Sequence, residues 1–181
     1  MSRFTFAVEH AFSAAECEAI AALGESAPGE SAPVWNELGY AVDPAARDVH
    51  TALRVREAET DWLFDRLDAL LARAGTEFGL AVGPLSEPVQ ILRYDCGCHF
   101  QRWHTDGGLD RIDKRLISVS VELSDAADYE GGTLEIVPEL VGPPRTVPRG
   151  GAIFFPSRAL HRVTPVTHGT RRALVAWTGP A

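Results

Sequence analysis

From Pro88 onward the chain is cut into short alternating or wholly apolar runs: Val89–Tyr94, Leu116–Leu123, Thr133–Val137, Ala152–Phe155, Leu160–Val163 and Arg172–Trp177. Between them stand Gly131-Gly132, Gly142-Pro143-Pro144 and Pro148-Arg149-Gly150-Gly151. Segments this short, bounded by residues that break ladders or open turns, read as strands rather than helices. They predict a β-sandwich or jelly roll, whose eight strands of about 5–6 residues need roughly 45 residues plus loops. Residues 88–178 have room for it.

The N-terminal part carries a different period. Ser13 with Glu16 three positions on is a capping-box pattern ahead of Cys17, Ile20, Ala21 and Leu23, which predicts a short helix ending near Gly24. Thr60-Asp61 starts a longer one, with Leu63, Phe64, Leu67, Leu70, Leu71 and Ala74 on one face before Gly75 and Gly79. Glu25–Pro33 (ESAPGESAP) mixes small polar residues with Pro and Gly, and reads as a loop. No long repeat or linker divides the chain, so 1–181 is expected to be one domain, with helical support over 1–87 and a β core over 88–178. At this length about 70% of the unfolded chain's surface can be buried, enough for a core without disulfides.

Composition narrows the partners. Seventeen Lys and Arg stand against 25 Asp and Glu, a net charge of −8 that opposes binding to phosphate backbones, so nucleic acid is not expected. No apolar run approaches the roughly 20 residues of a membrane span, and Met1–Phe12 is not built like a secretion signal. A cytoplasmic location is expected, which also suits three cysteines (Cys17, Cys96, Cys98) that cannot all pair internally. Cys96-Gly97-Cys98-His99 lacks the second ligand pair of a structural zinc site, so these thiols read as small packing residues. Nothing in the sequence sets an oligomeric state.

His104-Thr105-Asp106 is the sharpest chemical feature. In an extended segment residues two apart point the same way, which brings an imidazole and a carboxylate to one place. His161, in another strand-like run, is the natural third ligand. Two His and one carboxylate on one face of an iron, with positions left open, is the arrangement of non-haem Fe(II) oxygenases. A lone His-x-Asp is common by chance, and His10, His50, His99 and His168 have no comparable partner.

Around this triplet further elements follow in order: Tyr94-Asp95-Cys96-Gly97, Gly131-Gly132-Thr133, then His161 with Pro165-Val166, Gly169 and Arg171, and finally Trp177. In these elements residues 90–178 resemble the 2-oxoglutarate- and Fe(II)-dependent oxygenases of the prolyl 4-hydroxylase-like group. The spacing between Tyr94 and His104 is one residue longer than the commonest form. The resemblance implies a double-stranded β-helix, with His104, Asp106 and His161 as iron ligands. It implies 2-oxoglutarate contacts from Arg171, Tyr94 and Trp177, with O2 as the second co-substrate.

Arg171 also has a physical argument, since a buried distal carboxylate calls for a planar charged donor. Alternation along the last strand puts Arg171, Ala173, Val175 and Trp177 on one face and Arg172, Leu174 and Ala176 on the other. The resemblance selects Arg171 as inward, leaving Arg172 to solvent. The implied function is hydroxylation of an unactivated C–H bond in a peptidyl residue, amino acid or small metabolite, with release of succinate and CO2. Asp106 argues against a halogenase, in which a small residue replaces the carboxylate. Two rivals are a nucleic-acid or lipid repair dioxygenase, and a non-catalytic cupin-like metal-binding or sensor module that has no need of Arg171. Trp103, Gly107, Gly108, Leu109 and Tyr129 border the expected site.

Overall fold

The structure is a computed structural model and describes residues 4–26, 30–31, 34–36, 39–107, 114–137 and 146–181. In chain order the elements are β1 (Phe6–Val8), α1 (Ala14–Glu25), β2 (Glu30–Ser31), β3 (Val34–Asn36), β4 (Gly39–Ala41), β5 (His50–Arg54) and α2 (Asp61–Phe78). Then come β6 (Val89–Tyr94), β7 (Phe100–His104), β8 (Ile117–Glu122), β9 (Tyr129–Gly131) and β10 (Leu134–Ile136). The chain closes with β11 (Ala152–Pro156), β12 (His161–Val163), β13 (Val166–Gly169) and β14 (Arg171–Thr178).

Both helices form where their signals stand. Ser13 Oγ accepts from Glu16 N and Glu16 Oε2 accepts from Ser13 N, so the capping box closes reciprocally. At the second helix Thr60 is the cap residue, but its hydroxyl donates to Val55 O instead of capping. That helix runs through Gly75 and stops at Gly79, whose φ of 68° is open to glycine at little cost.

The mainly β expectation holds. Seven antiparallel strands in the order β1-β11-β8-β14-β6-β5-β2 form the major sheet. Facing it are β10-β12-β7 and the pair β13-β9. Alternation divides the packing. Ile91, Val119, Val121, Leu174 and Ala176 pack outward with Ile20, Leu63, Phe64, Leu67 and Leu71 of the helices. Leu92, Tyr94 and Val175 face inward and meet Phe100, Leu134, Val163 and Val166 of the smaller sheets.

The N-terminal part departs from its purely helical reading. It supplies β5, paired with β6 from His50↔Arg93 to Arg54↔Val89, and β1, paired with β11. Within the stretch read as a loop, Glu30–Ser31 pair with β5, while 27–29 and 32–33 lie outside the described residues. Short runs like HTALR carry too little periodicity to separate strand from helix, and pairing decides them. Gly142-Pro143-Pro144, Gly108 and Leu109 also lie outside the described residues.

Candidate metal centre

His104 ends β7 and His161 begins β12, and the two are direct cross-strand partners. Their ring centroids are 4.2 Å apart. Three residues of β7 then stand opposite one of β12 before Phe100 meets Val163. This bulge lies within the Tyr94–His104 segment whose spacing is longer than usual.

Asp106 is fixed by contacts beyond its own strand. The assigned strand ends at His104, two residues before the carboxylate. There the backbone N–H groups of Asp106 and Gly107 both donate to Ser157 O, at 2.9 and 3.0 Å. Gly107 cannot carry a side chain here, since a Cβ would fall 2.6 Å from Arg115 O. The Asp106 carboxylate is then held by Ser118 Oγ, which donates to Oδ2 at 2.7 Å, and Ser118 is itself bonded to Ser157 Oγ at 2.9 Å.

One ligand atom from each of His104, Asp106 and His161 lies within 4.8 Å of the others. His104 Nε2 is 3.9 Å from Asp106 Oδ1, and His161 Nε2 is 3.4 Å from Oδ2. Each Nδ1 faces a carbonyl, Arg102 O at 2.9 Å and Ala159 O at 3.0 Å. A carbonyl only accepts, so each ring carries a proton on Nδ1 and turns its Nε2 towards the centre. Burial and the neighbouring His161 push His104 down to about 4. Burial works against ionisation of Asp106, but His161, His104, Trp177 and Ser118 outweigh it and its pKa is lowered. Two imidazoles and one carboxylate on converging segments are the donor set that suits a divalent iron with open positions. Among the described residues no other group of three ligating side chains converges, and Cys96 and Cys98 are free thiols.

Arg171 and Tyr94 are partners across β14 and β6. Both are buried on the inner face, with the guanidinium carbon 5.6 Å from the Tyr94 ring centroid. Burial raises the Tyr94 pKa. Arg172 points to the outer face and pairs with Glu25 at 3.1 Å. Trp177 is inward and buried, 4.0 Å beneath the Arg115 guanidinium. Its indole Nε1 makes no hydrogen bond of ordinary geometry, although it lies close enough to Asp106 to help lower that carboxyl.

Two residues of this pocket went unnoticed in the sequence. Glu122, inward on β8, accepts from Arg171 Nε at 2.9 Å, and the two side chains are 9% and 5% exposed. Burial opposes the Arg171 charge, but Glu122, Tyr94 and Tyr129 together outweigh it and the pKa is raised. Its signal was available: in Ile117–Glu122 the alternation places Ser118, Ser120 and Glu122 together on the inner face. Arg47 had no such signal, because it lies in an irregular segment before β5. Its Nη2 donates to Gln90 Oε1 at 3.0 Å and its guanidinium lies 4.9 Å over the Phe100 ring.

The fold is shared with solved hydroxylases. A Pseudomonas putida prolyl-4-hydroxylase superposes with a TM-score of 0.75 over 99% of this chain and 94% of that one, at 18% identity. A Trichoplax adhaerens prolyl hydroxylase, in complex with a peptide fragment of the hypoxia inducible factor oxygen degradation domain, gives 0.76 over 97% and 83%, at 17% identity. In sequence, a PKHD-type hydroxylase of Picosynechococcus sp. is 40% identical over 85 residues, covering 47% of this chain and 38% of the relative. One from Paraburkholderia phytofirmans is 36% identical over 96 residues, 50% and 41% of the two chains. The matched stretch thus spans about two fifths of these relatives' length. The family model described as the 2OG-Fe(II) oxygenase superfamily matches residues 89–179, half of the chain and the part that holds all three converging side chains, and the protein belongs to that superfamily.

Proposed function

We propose that the protein is a 2-oxoglutarate-dependent Fe(II) dioxygenase of the hydroxylase type, with His104, Asp106 and His161 as the iron ligands and a peptide or small molecule as substrate. The observation that carries this is the convergence of the three ligand atoms within 4.8 Å, with both imidazole Nδ1 atoms tied back to carbonyls. When bound, iron couples O2 and 2-oxoglutarate breakdown to oxidation of a C–H bond, with succinate and CO2 as co-products.

The chain's own part is positioning. Ser118 and the Ser157 carbonyl hold Asp106, while the Arg102 and Ala159 carbonyls aim the imidazoles. Arg171 presents its terminal nitrogens for the distal carboxylate of 2-oxoglutarate, since its Nε is taken by Glu122. Tyr94 supports it from β6, and Trp177 walls the carboxylate side. Three free thiols suit a reducing, cytoplasmic setting. Among the described residues no helix is long and apolar enough to cross a membrane.

The test is anaerobic titration of Fe(II) protein with 2-oxoglutarate, read as a weak visible charge-transfer band, followed by succinate release on admitting air. Absence of both in iron-loaded protein would overturn the reading.

A further inference from the structure

The inner pocket holds two guanidinium groups in opposite electrical situations. Arg171 has a buried counter-ion in Glu122, at 2.9 Å. Arg47 has no ion pair: among the described residues no carboxylate lies within ion-pair distance of it and Asp106 acts on it only through space, its terminal nitrogen is bonded to the neutral Gln90, and its buried Nε has no acceptor. A cation withdrawn from water without a partner is costly, and such a group is retained where something else supplies the charge.

Arg47 is also held in place. Asp48 N and His99 N exchange hydrogen bonds with each other's carbonyls at 2.8 Å. Arg102 N donates to Ala46 O at 3.3 Å and Gln101 Nε2 to Ala45 O at 3.2 Å. The segment 45–48 is therefore laid along β7. Two residues on, Val49 is buried in the inner cluster with Leu92 and Tyr94. In extended chain Arg47 shares that face. The Phe100 ring under its guanidinium stacks on His104 at 3.6 Å, so the unpaired cation stands on the β7 side, next to the metal ligands. Arg171 enters from β14, beside Tyr94.

We infer that Arg47 anchors a carboxylate of the molecule being oxidised, and that this substrate is a small carboxylic acid of amino-acid type rather than an internal residue of a peptide. The inference rests on the proposed metal centre and on Arg171 serving 2-oxoglutarate. With the co-substrate's distal carboxylate on Arg171 and its other end at the metal, Arg47 is, among the described residues, the inner-pocket cation left without an ion-pair partner to meet a second anion. Its planar fork can take a carboxylate in two parallel hydrogen bonds, whereas an uncharged amide would leave the half-buried charge unmet.

The experiment uses whole protein loaded with Mn(II) and 2-oxoglutarate, a combination that does not turn over. Binding of these two is measured first by calorimetry, and failure of wild type at that stage overturns the metal reading itself. The twenty common L-amino acids, their N-acetyl derivatives and the matching α-carboxamides are then titrated in. At least one acid is expected to bind at least about ten-fold more tightly than its amide. Arg47→Gln should erase that difference while changing the 2-oxoglutarate Kd less than about three-fold, and Arg47→Lys should keep much of it, since a point charge remains. The inference is overturned if no acid binds, if acids and amides bind alike, or if Arg47→Gln weakens 2-oxoglutarate instead. Should Arg47→Gln fail to fold, the comparison of acid with amide on wild type and Arg47→Lys still decides.

Discussion

Arg171 Nε donates to Glu122 Oε2 at 2.9 Å, so the guanidinium expected to receive the co-substrate is already half of a buried ion pair. The other Glu122 oxygen accepts from Ser124 N at 3.2 Å, which holds the carboxylate to the Nε edge, while the Tyr129 hydroxyl lies beside both members of the pair. The pair is neutral before 2-oxoglutarate arrives and carries one negative charge afterwards.

Glu122→Gln keeps an acceptor for Nε but removes that excess charge. It should tighten 2-oxoglutarate by on the order of 1–2 kcal/mol, roughly 5-fold to 30-fold. Calorimetry on the Mn(II) protein reads this directly. Glu122→Ala has no acceptor to offer and should lower the melting temperature, because an unpaired buried charge costs about 3–5 kcal/mol. Equal affinities for wild type and Glu122→Gln would show that the carboxylate is not felt at the binding edge.

Arg171→Ala should raise the KM for 2-oxoglutarate by on the order of 100-fold to 1,000-fold, with Arg171→Lys less harmed. It should also destabilise, since Glu122 then stays buried alone, and the double change Arg171→Met with Glu122→Gln should recover stability but not co-substrate binding. Arg172→Ala breaks only the outer pair with Glu25, whose two side chains are 37% and 47% exposed, and should leave KM unchanged. A large defect in Arg172→Ala with none in Arg171→Ala would reverse the assignment of the two faces.

His104→Ala, Asp106→Ala and His161→Ala should each abolish succinate formation with the fold retained, checked on iron-loaded protein. The metal-free wild type should lose stability as pH falls below about 6.5, the unfolded value of a histidine. His104 titrates near 4 when folded, so between those values the unfolded chain binds the extra proton. The loss should reach on the order of 3 kcal/mol by pH 4, and His104→Ala should flatten it. Asp106, lowered when folded, adds stability above its unfolded value that is lost at still lower pH. A flat melting temperature from pH 7 to 4.5 in metal-free wild type would contradict the neutral His104.

The Cys96→Ser/Cys98→Ser/His99→Ala variant should bind iron at wild-type stoichiometry. Cys96 is exposed with its Sγ 3.3 Å from Thr167 O, Cys98 is buried, and neither reaches the triad. Loss of iron with the three ligands intact would make that cluster the metal site.

Much of this site is written locally. Turn residues and period two mark most of the core strands, because backbone donors must be paired and turns need particular φ values. Gly131 and Gly132 sit at φ of 76° and 58°, as a Gly-Gly turn requires, and a Cβ on Gly131 would fall 2.2 Å from Pro165 O. Alternation likewise separates Arg171 from Arg172, and their register with Tyr94 and Arg93 follows that division. The three converging side chains were legible as one triplet and one later histidine. What locates Asp106 was not, because its clamp is a backbone carbonyl at Ser157 and a hydroxyl on a different strand. The pairing of β5 with β6 was equally hidden, since a five-residue run gains its conformation from the neighbour it hydrogen-bonds. Glu122 and Arg47 show the same division. Sequence supplies a charge at a position, but whether that charge meets a counter-ion depends on which strands lie side by side, and only the tertiary structure places Glu122 against Arg171 and leaves Arg47 beside Gln90.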